Sequence, residues 1–199
     1  MQVRLLNREE YENWYREHLC RDFPVNEIKP LHDMLEMNSE GRYDVLLYEN
    51  DSVEVGYATI WKRQGLSTYL LDYLGVPDKL RNLGIGKEIL KRVGKDVSAI
   101  EGREGIYIVL ESETPNCDDD SEENILRRRR LNFYMRNGWV KMYEMATCGV
   151  RFTAMSFEEV PENIENVMIE HKNIYGEIRD DVIIPLPHGM KPPLPYWMK

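Results

Sequence analysis

Leu70 to Leu90, LLDYLGVPDKLRNLGIGKEIL, constrains the fold of this chain more than any other stretch, because it joins a buried strand to a helix that opens on glycine. From Thr68 to Val76 the residues Leu70, Leu71, Tyr73, Leu74 and Val76 are apolar and Asp72 is the single carboxylate, which suits a strand covered on both faces. Pro77 ends that strand, since proline cannot donate to a ladder. Arg81-Asn82-Leu83-Gly84-Ile85-Gly86 then leads into Ile85, Ile89, Leu90, Val93 and Val97, whose spacing predicts a helix over residues 84–99 with one apolar stripe. Glycine costs roughly 1 kcal/mol against alanine inside a helix, so two in the first turn predict close backbone approach or unusual dihedrals. The unpaired N–H groups and positive dipole end of such a terminus suit phosphate. A tight strand-to-helix turn with no ligand is the alternative at this point.

Composition narrows the function classes. At 199 residues and 42% hydrophobic content the chain can bury one sizeable core, with an appendage. No apolar run approaches the roughly 18 to 20 residues of a membrane span, and MQVRLLNREEYEN has no signal-peptide core, so the expectation is a soluble, cytoplasmic protein without a membrane partner. Cys20, Cys117 and Cys148 are scattered and odd in number, which fits neither a disulfide framework nor metal-ligand spacing. A net charge of −9 argues against nucleic acid as the main partner. The charge is uneven: between Asp78 and Lys95, six basic residues (Lys79, Arg81, Lys87, Lys91, Arg92, Lys95) face Asp78 and Glu88, a local +4. A solvated helix face and a phosphate ligand at the helix start account for it equally well.

In chain order, Val3 to Leu6 reads as a strand, and Asn7 with Glu10 as a capping box. Tyr11, Trp14, Tyr15, His18 and Leu19 form a helical stripe in which His18 is read as packed rather than catalytic. Phe23-Pro24-Val25-Asn26 breaks the chain; Ile28, Leu31, His32 and Leu35 then mark a second stripe ending before Gly41. Tyr43 to Tyr48 and Val53 to Trp61 predict a hairpin around Glu49-Asn50-Asp51-Ser52, and Thr68 to Val76 becomes the third strand of an antiparallel meander. After the glycine-opened helix, Gly105 to Glu111 (GIYIVLE) is another buried run, and a crossover of this length implies parallel pairing with Thr68 to Val76. Pro115 to Glu123 reads as an acidic surface loop. A helix from about Glu122 to Asn137 follows, with Leu131, Tyr134 and Met135 on one stripe, Gly138 as its cap, and Arg127 to Arg130 opening as a solvated run with Glu123 placed to pair with Arg127. Met142 to Thr147 and Val150 to Phe157 flank Cys148-Gly149 as a closing hairpin, and Ile164, Val167, Met168, His171 and Tyr175 mark a last amphipathic helix. The final stretch, IIPLPHGMKPPLPYWMK, holds five of the ten prolines and is expected to be extended. Its Leu186, Leu194, Tyr196, Trp197 and Met198 predict that it lies against the domain or a partner subunit, which makes a homodimer plausible.

The order so obtained resembles the GCN5-related N-acetyltransferase (GNAT) family over residues 1–157, with 158–199 as a C-terminal helix and proline-rich extension. Two motifs carry the resemblance. Arg81-x-x-Gly84-x-Gly86 matches the family's acyl-CoA pyrophosphate loop after the central strand, and Phe133-Tyr134-Met135-Arg136-Asn137-Gly138-Trp139 matches its Tyr-to-Gly helix end. The resemblance implies an α/β (α+β) fold, with a mixed central sheet, an antiparallel N-terminal meander, a parallel pair at the centre and helices on both faces.

It also implies a site. The amides of Leu83, Gly84, Ile85, Gly86 and Lys87 would hold the pyrophosphate, with Arg81 and Asn82 beside them. Backbone groups near Leu74 and Val76 would pair with the pantetheine arm. Tyr134 matches the family's general acid for the leaving thiolate; the alternative is a packed aromatic on the Leu131 stripe. A base is required because a primary amine with a pKa near 10 is mostly ammonium at pH 7. Two carboxylates qualify: Glu111, expected at the end of its strand, and Asp72 on the central strand, with a strand-end solvated Glu and a hydrogen-bonded Asp as their alternatives. The four arginines replace the family's usual small residue and asparagine ahead of the tyrosine, which puts that contact to CoA in doubt and offers arginine-to-phosphate pairing instead. The expected activity is transfer of an acetyl group from acetyl-CoA to a small-molecule or peptide amine by direct attack. A non-catalytic acyl-CoA-binding module and a protein N-acetyltransferase are the alternatives.

Overall fold

The computed structural model describes residues 1–117, 119–176, 179–195 and 198. Its elements are β1 (Gln2–Leu5), α1 (Arg8–Trp14), a π-helical turn (Tyr15–Leu19), α2 (Cys20–Asp22), α3 (Leu31–Ser39), β2 (Tyr43–Asn50), β3 (Val53–Trp61), β4 (Thr68–Gly75), α4 (Ile85–Glu101), β5 (Tyr107–Glu113), α5 (Glu122–Arg136), β6 (Trp139–Thr147), β7 (Val150–Phe157) and α6 (Ile164–Tyr175). The strands form a seven-stranded mixed sheet in the order β1-β2-β3-β4-β5-β7-β6. Among the described residues no helix is long and apolar enough to cross a membrane. Contacts divide the chain into two units, Met1–Gly65 with Leu71–Gly105, and Leu66–Leu70 with Ile106–Lys199.

In the first unit the predicted capping box is present in both directions: Glu10 N–H donates to Asn7 Oδ1 at 3.0 Å, and Asn7 N–H to Glu10 Oε2 at 3.1 Å. Asp51 and Ser52 take φ of 48° and 63°, the two left-handed positions that let a two-residue turn follow the twist of the β2–β3 hairpin. Seven consecutive residues of β3, from Val55 to Trp61, are buried without alternation, as a strand covered on both faces requires. α4 packs against β3 and buries Ile89, Leu90, Val93 and Val97, as the stripe predicted. The second helical stripe is corrected: Pro30 precedes the first turn of α3, so Ile28 lies outside it. Met34 and Met37 are the buried residues, and the His32 side chain is 82% exposed.

In the second unit, Tyr107 N–H donates to Ser67 O at 2.8 Å, which sets the starts of β5 and β4 side by side. β5 runs past Glu111, for Glu113 still opposes Phe152 of β7; Glu111 sits within the strand, not at its end. β6 likewise starts earlier than predicted, at Trp139, because the buried indole opposes Phe157. Arg127 and Arg128 are not a solvated run. Arg127 pairs with Glu113 at 2.7 Å and with Glu123, while Arg128 pairs with Asp120 and donates to the carbonyls of Asn116, Cys117 and Asp119. The two arginines and the buried Asn124, which bonds Asn116 and Asp119, hold the acidic loop in place. Met135 turns outward from the stripe, 39% exposed.

α6 lays Val167 against Val109 and Ala154. The chain beyond it follows β6, the last strand in the sheet order. Ile183 and Ala146 exchange backbone hydrogen bonds of 3.0 and 3.1 Å, Leu186 N–H donates to Glu144 O at 2.7 Å, and Gly149 N–H donates to Pro193 O at 3.0 Å. Covering a sheet edge satisfies groups that would otherwise template association. The buried Asp181 anchors the start of this run, accepting from Arg179, Thr147 Oγ1 and the Cys148 amide, contacts that hold its carboxyl well below the usual range against the opposing cost of burial. Leu186 is buried as expected, whereas Leu194 and Met198 are exposed; Tyr196 and Trp197 lie outside the described residues. Backbone pairing secures the tail together with the buried Val182 and Leu186.

At Gly56 a Cβ would come within 2.8 Å of Gly75 O and 2.9 Å of Ile89 Cδ1. Gly56→Ala must therefore displace the Gly75 carbonyl of β4 as well as turn the Ile89 methyl aside, and is expected to cost about 1–3 kcal/mol in urea unfolding; unchanged stability would show that the strands have room to give.

Candidate functional site

The amino end of α4 is built as the sequence requires. Gly84 is the N-cap, with φ 85° and ψ −2°, and supplies no side-chain oxygen, whereas Asn7, Ser121 and Asn163 cap α1, α5 and α6 from their side chains. The opening amides of Ile85, Gly86 and Lys87 thus have no acceptor from a cap. Asn82 is also left-handed, at φ 65°, and residues 81–84 are exposed with open space where a Gly84 Cβ would stand. These residues fit a pyrophosphate: amides, a helix dipole and room for the oxygens. Arg81, expected beside the phosphate, has other partners. Its Nε donates to Val76 O at 3.1 Å, and its guanidinium pairs with Asp78 at 2.8 Å and Asp22 at 3.5 Å. Leu74 lies half-buried in β4, next to its final residue Gly75, and Val76 follows immediately.

Asp72 is the hydrogen-bonded, ion-paired alternative. Lys29 Nζ lies 2.6 and 2.9 Å from its two oxygens, and Tyr43 Oη donates to Oδ2 at 2.5 Å. A carboxylate with both oxygens engaged is a poor base. Burial, followed by the Asp72 charge, pushes the Tyr43 phenol well above its ordinary value, so it remains a donor. Sequence reasoning missed Lys29, which sits between Ile28 and Pro30 in no periodic pattern. His18 is half-buried against the Tyr57 ring and 3.1 Å from Glu54.

In the second unit, Glu111 belongs to a chain of polar side chains. Tyr175 Oη donates to Glu111 Oε1 at 2.6 Å, and His171 Nε2 lies 2.9 Å from the same oxygen without the alignment of a good hydrogen bond. On the other side of the fully buried imidazole, Tyr143 Oη is 2.9 Å from His171 Nδ1. Burial, with the Glu111 charge adding to it, raises the Tyr143 phenol, which therefore keeps its proton. A hydrogen bond donated by Tyr143 to Nδ1 would place the imidazole proton on Nε2, facing Glu111. Glu111 Oε1 is thus anchored, while Oε2 has no partner among the described residues. The signal for this network was present: His171 and Tyr175, four apart on a helical stripe, are polar-tipped residues on a buried face.

Tyr134 is half-buried beside Phe133, and its hydroxyl has no hydrogen-bond partner among the described residues. Burial raises its pKa from 10, Arg130 opposing, so the phenol holds its proton at neutral pH.

No protein-family model matches the chain, and no curated relative matches it by sequence. Solved structures show its fold, which is that of the GCN5-related N-acetyltransferases. A GNAT-family chain from Bacteroides thetaiotaomicron is 22% identical, with 89% of this chain and 99% of that one covered at a TM-score of 0.64. An aminoglycoside 6′-N-acetyltransferase complexed with coenzyme A is 16% identical over 81% of this chain and 99% of its own, at 0.55. A spermidine N-acetyltransferase chimera from Vibrio cholerae and hSSAT is 12% identical over 78% of this chain and 94% of its own, at 0.53.

Because a Gly84 Cβ would meet nothing, Gly84→Ala isolates the cost of a left-handed alanine. It is expected to lower stability by about 1 kcal/mol in urea unfolding, and a neutral substitution would mean that the cap can relax into another conformation.

Proposed function

We propose that the protein is an acetyl-CoA-dependent N-acetyltransferase acting on a primary amine of a small molecule by direct attack in a ternary complex. The observation that carries this reading is the amino end of α4, opened by Gly84 without a side-chain cap, in a chain with the fold of the GNAT enzymes. Acetyl-CoA supplies an acyl group activated as a thioester. The amides of Leu83, Gly84, Ile85, Gly86 and Lys87 hold its pyrophosphate, with Asn82 and Arg81 alongside, and backbone groups near Leu74 and Val76 align the pantetheine arm and polarise the carbonyl oxygen. Lys87, exposed in the first helical turn, adds a positive charge.

Glu111 is the better base of the two carboxylates. Its anchored Oε1 fixes the plane of the carboxylate, and Oε2 accepts the proton that the substrate ammonium must lose before its nitrogen can attack. Glu111 passes that proton to water, and as the C–N bond forms and the C–S bond breaks it takes the second proton from the nitrogen while Tyr134 gives its phenolic proton to the departing sulfur. Bulk water then takes the proton from Glu111 and restores that of Tyr134. The acidic overall charge of −9 favours a cationic acceptor over an anionic one. Names among the similar structures include aminoglycoside and spermidine acetyltransferases, which supports the same class. A cytoplasmic setting suits three free thiols, Cys20, Cys117 and Cys148.

The test is thiol release from acetyl-CoA across a panel of primary amines. Tyr134→Phe and Glu111→Gln are each expected to lower kcat by about 10²- to 10⁴-fold with acetyl-CoA affinity nearly unchanged. Wild-type turnover no faster than background hydrolysis with every amine would favour the non-catalytic acyl-CoA-binding module.

A further inference from the structure

Lys29 occupies a box. Its ammonium lies against both oxygens of Asp72, with the ring centroids of Trp61, Tyr73 and Tyr43 at 4.8, 5.2 and 6.0 Å. We propose that Asp72, Tyr43, Trp61 and Tyr73 form a binding site for an alkylammonium group, and that Lys29 is its exchangeable internal occupant. The proposal goes beyond the transferase reading and requires no acetyl-CoA.

The walls stand without Lys29. Tyr43 comes from β2, Trp61 from β3, and Asp72 and Tyr73 from β4, all buried or nearly so. One hydrogen-bonded chain ties them across the three strands: Tyr73 N–H donates to Thr59 Oγ1 at 2.9 Å, Thr59 Oγ1 bonds Tyr43 Oη at 2.9 Å, and Tyr43 Oη donates to Asp72. Lys29, by contrast, comes from the irregular segment between α2 and α3. Its backbone is fixed, the N–H donating to Tyr73 Oη at 3.1 Å and the carbonyl accepting from Tyr15 Oη at 2.9 Å. Exchange therefore asks only the side chain to move, and that side chain is already 25% exposed.

With Lys29 turned out, a carboxylate only 14% exposed would stand among three aromatic rings. An isolated carboxylate in such a setting is costly and calls for a cation, and electron-rich ring faces favour a compact ammonium on an alkyl stem over a neutral or anionic group. Lys29 has that chemistry itself. A free amine competes with a tethered one, so its apparent affinity is reduced by the fraction of time that the box stands open.

The experiment titrates n-butylammonium chloride into the full-length protein at constant ionic strength, followed by calorimetry and tryptophan fluorescence. Lys29→Ala and Lys29→Gln are each expected to bind it at least about tenfold more tightly than wild type, and Lys29→Ala combined with Asp72→Asn to lose that binding. A variant that is only marginally folded is expected to gain thermal stability from butylammonium and not from equal sodium chloride. The proposal is overturned if neither Lys29 variant shows saturable binding or selective stabilisation, or if removing Asp72 leaves the gained binding intact.

Discussion

The closeness of α4 to the sheet is the constraint on which the first unit depends. Gly56 leaves no space for a methyl group between Gly75 O and Ile89 Cδ1, so the helix lies directly on β3 with its buried stripe of Ile89, Leu90, Val93 and Val97. A helix held at that distance by a whole apolar face cannot easily shift to satisfy its own first amides. The chain leaves them open by giving the N-cap to Gly84 instead of the serine or asparagine that caps other helices here. Packing fixes the helix, and the missing cap leaves its positive end available for an anion.

That much was legible in Leu70 to Leu90, because the information is local: a strand period, two glycines and a helical stripe within 21 residues. The Asn7 capping box and the two hairpins were readable for the same reason. What escaped the sequence is set by contacts distant along the chain. Lys29 reaches Asp72 across 43 positions, Tyr175 reaches Glu111 across 64, and Arg127 reaches Glu113 across 14. Arg127 and Arg128 looked solvated because Glu113, Asp120 and the loop carbonyls they reach lie in a strand and a loop whose placement no periodicity announces. The placement of Glu111 was off by two residues for a simpler reason: β5 continues through the polar Ser112 and Glu113, and hydropathy cannot see a backbone ladder.

The two candidate carboxylates show how environment separates like groups. Asp72 has a lysine ammonium on both oxygens and a phenol on one, an arrangement that binds charge. Glu111 has hydroxyl and imidazole neighbours at one oxygen alone, an arrangement that orients a lone pair while leaving the other oxygen to act. The first therefore suits the proposed ammonium site, and in the proposed reaction the second moves a proton. The residues that hold Glu111 come from β6 and α6, so in the proposed reaction the helix beyond residue 157 would position the base as well as build the core with Val109 and Ala154.

Acetyl-CoA binding measured by calorimetry tests the central claim most directly, that the open end of α4 holds a phosphate-bearing acyl donor. The account predicts saturable one-site binding by the wild-type protein and by Glu111→Gln, and its loss in Gly86→Glu, where a carboxylate would stand among amides that must receive an anion. No binding by the wild type, or undiminished affinity in a folded Gly86→Glu variant, would contradict it.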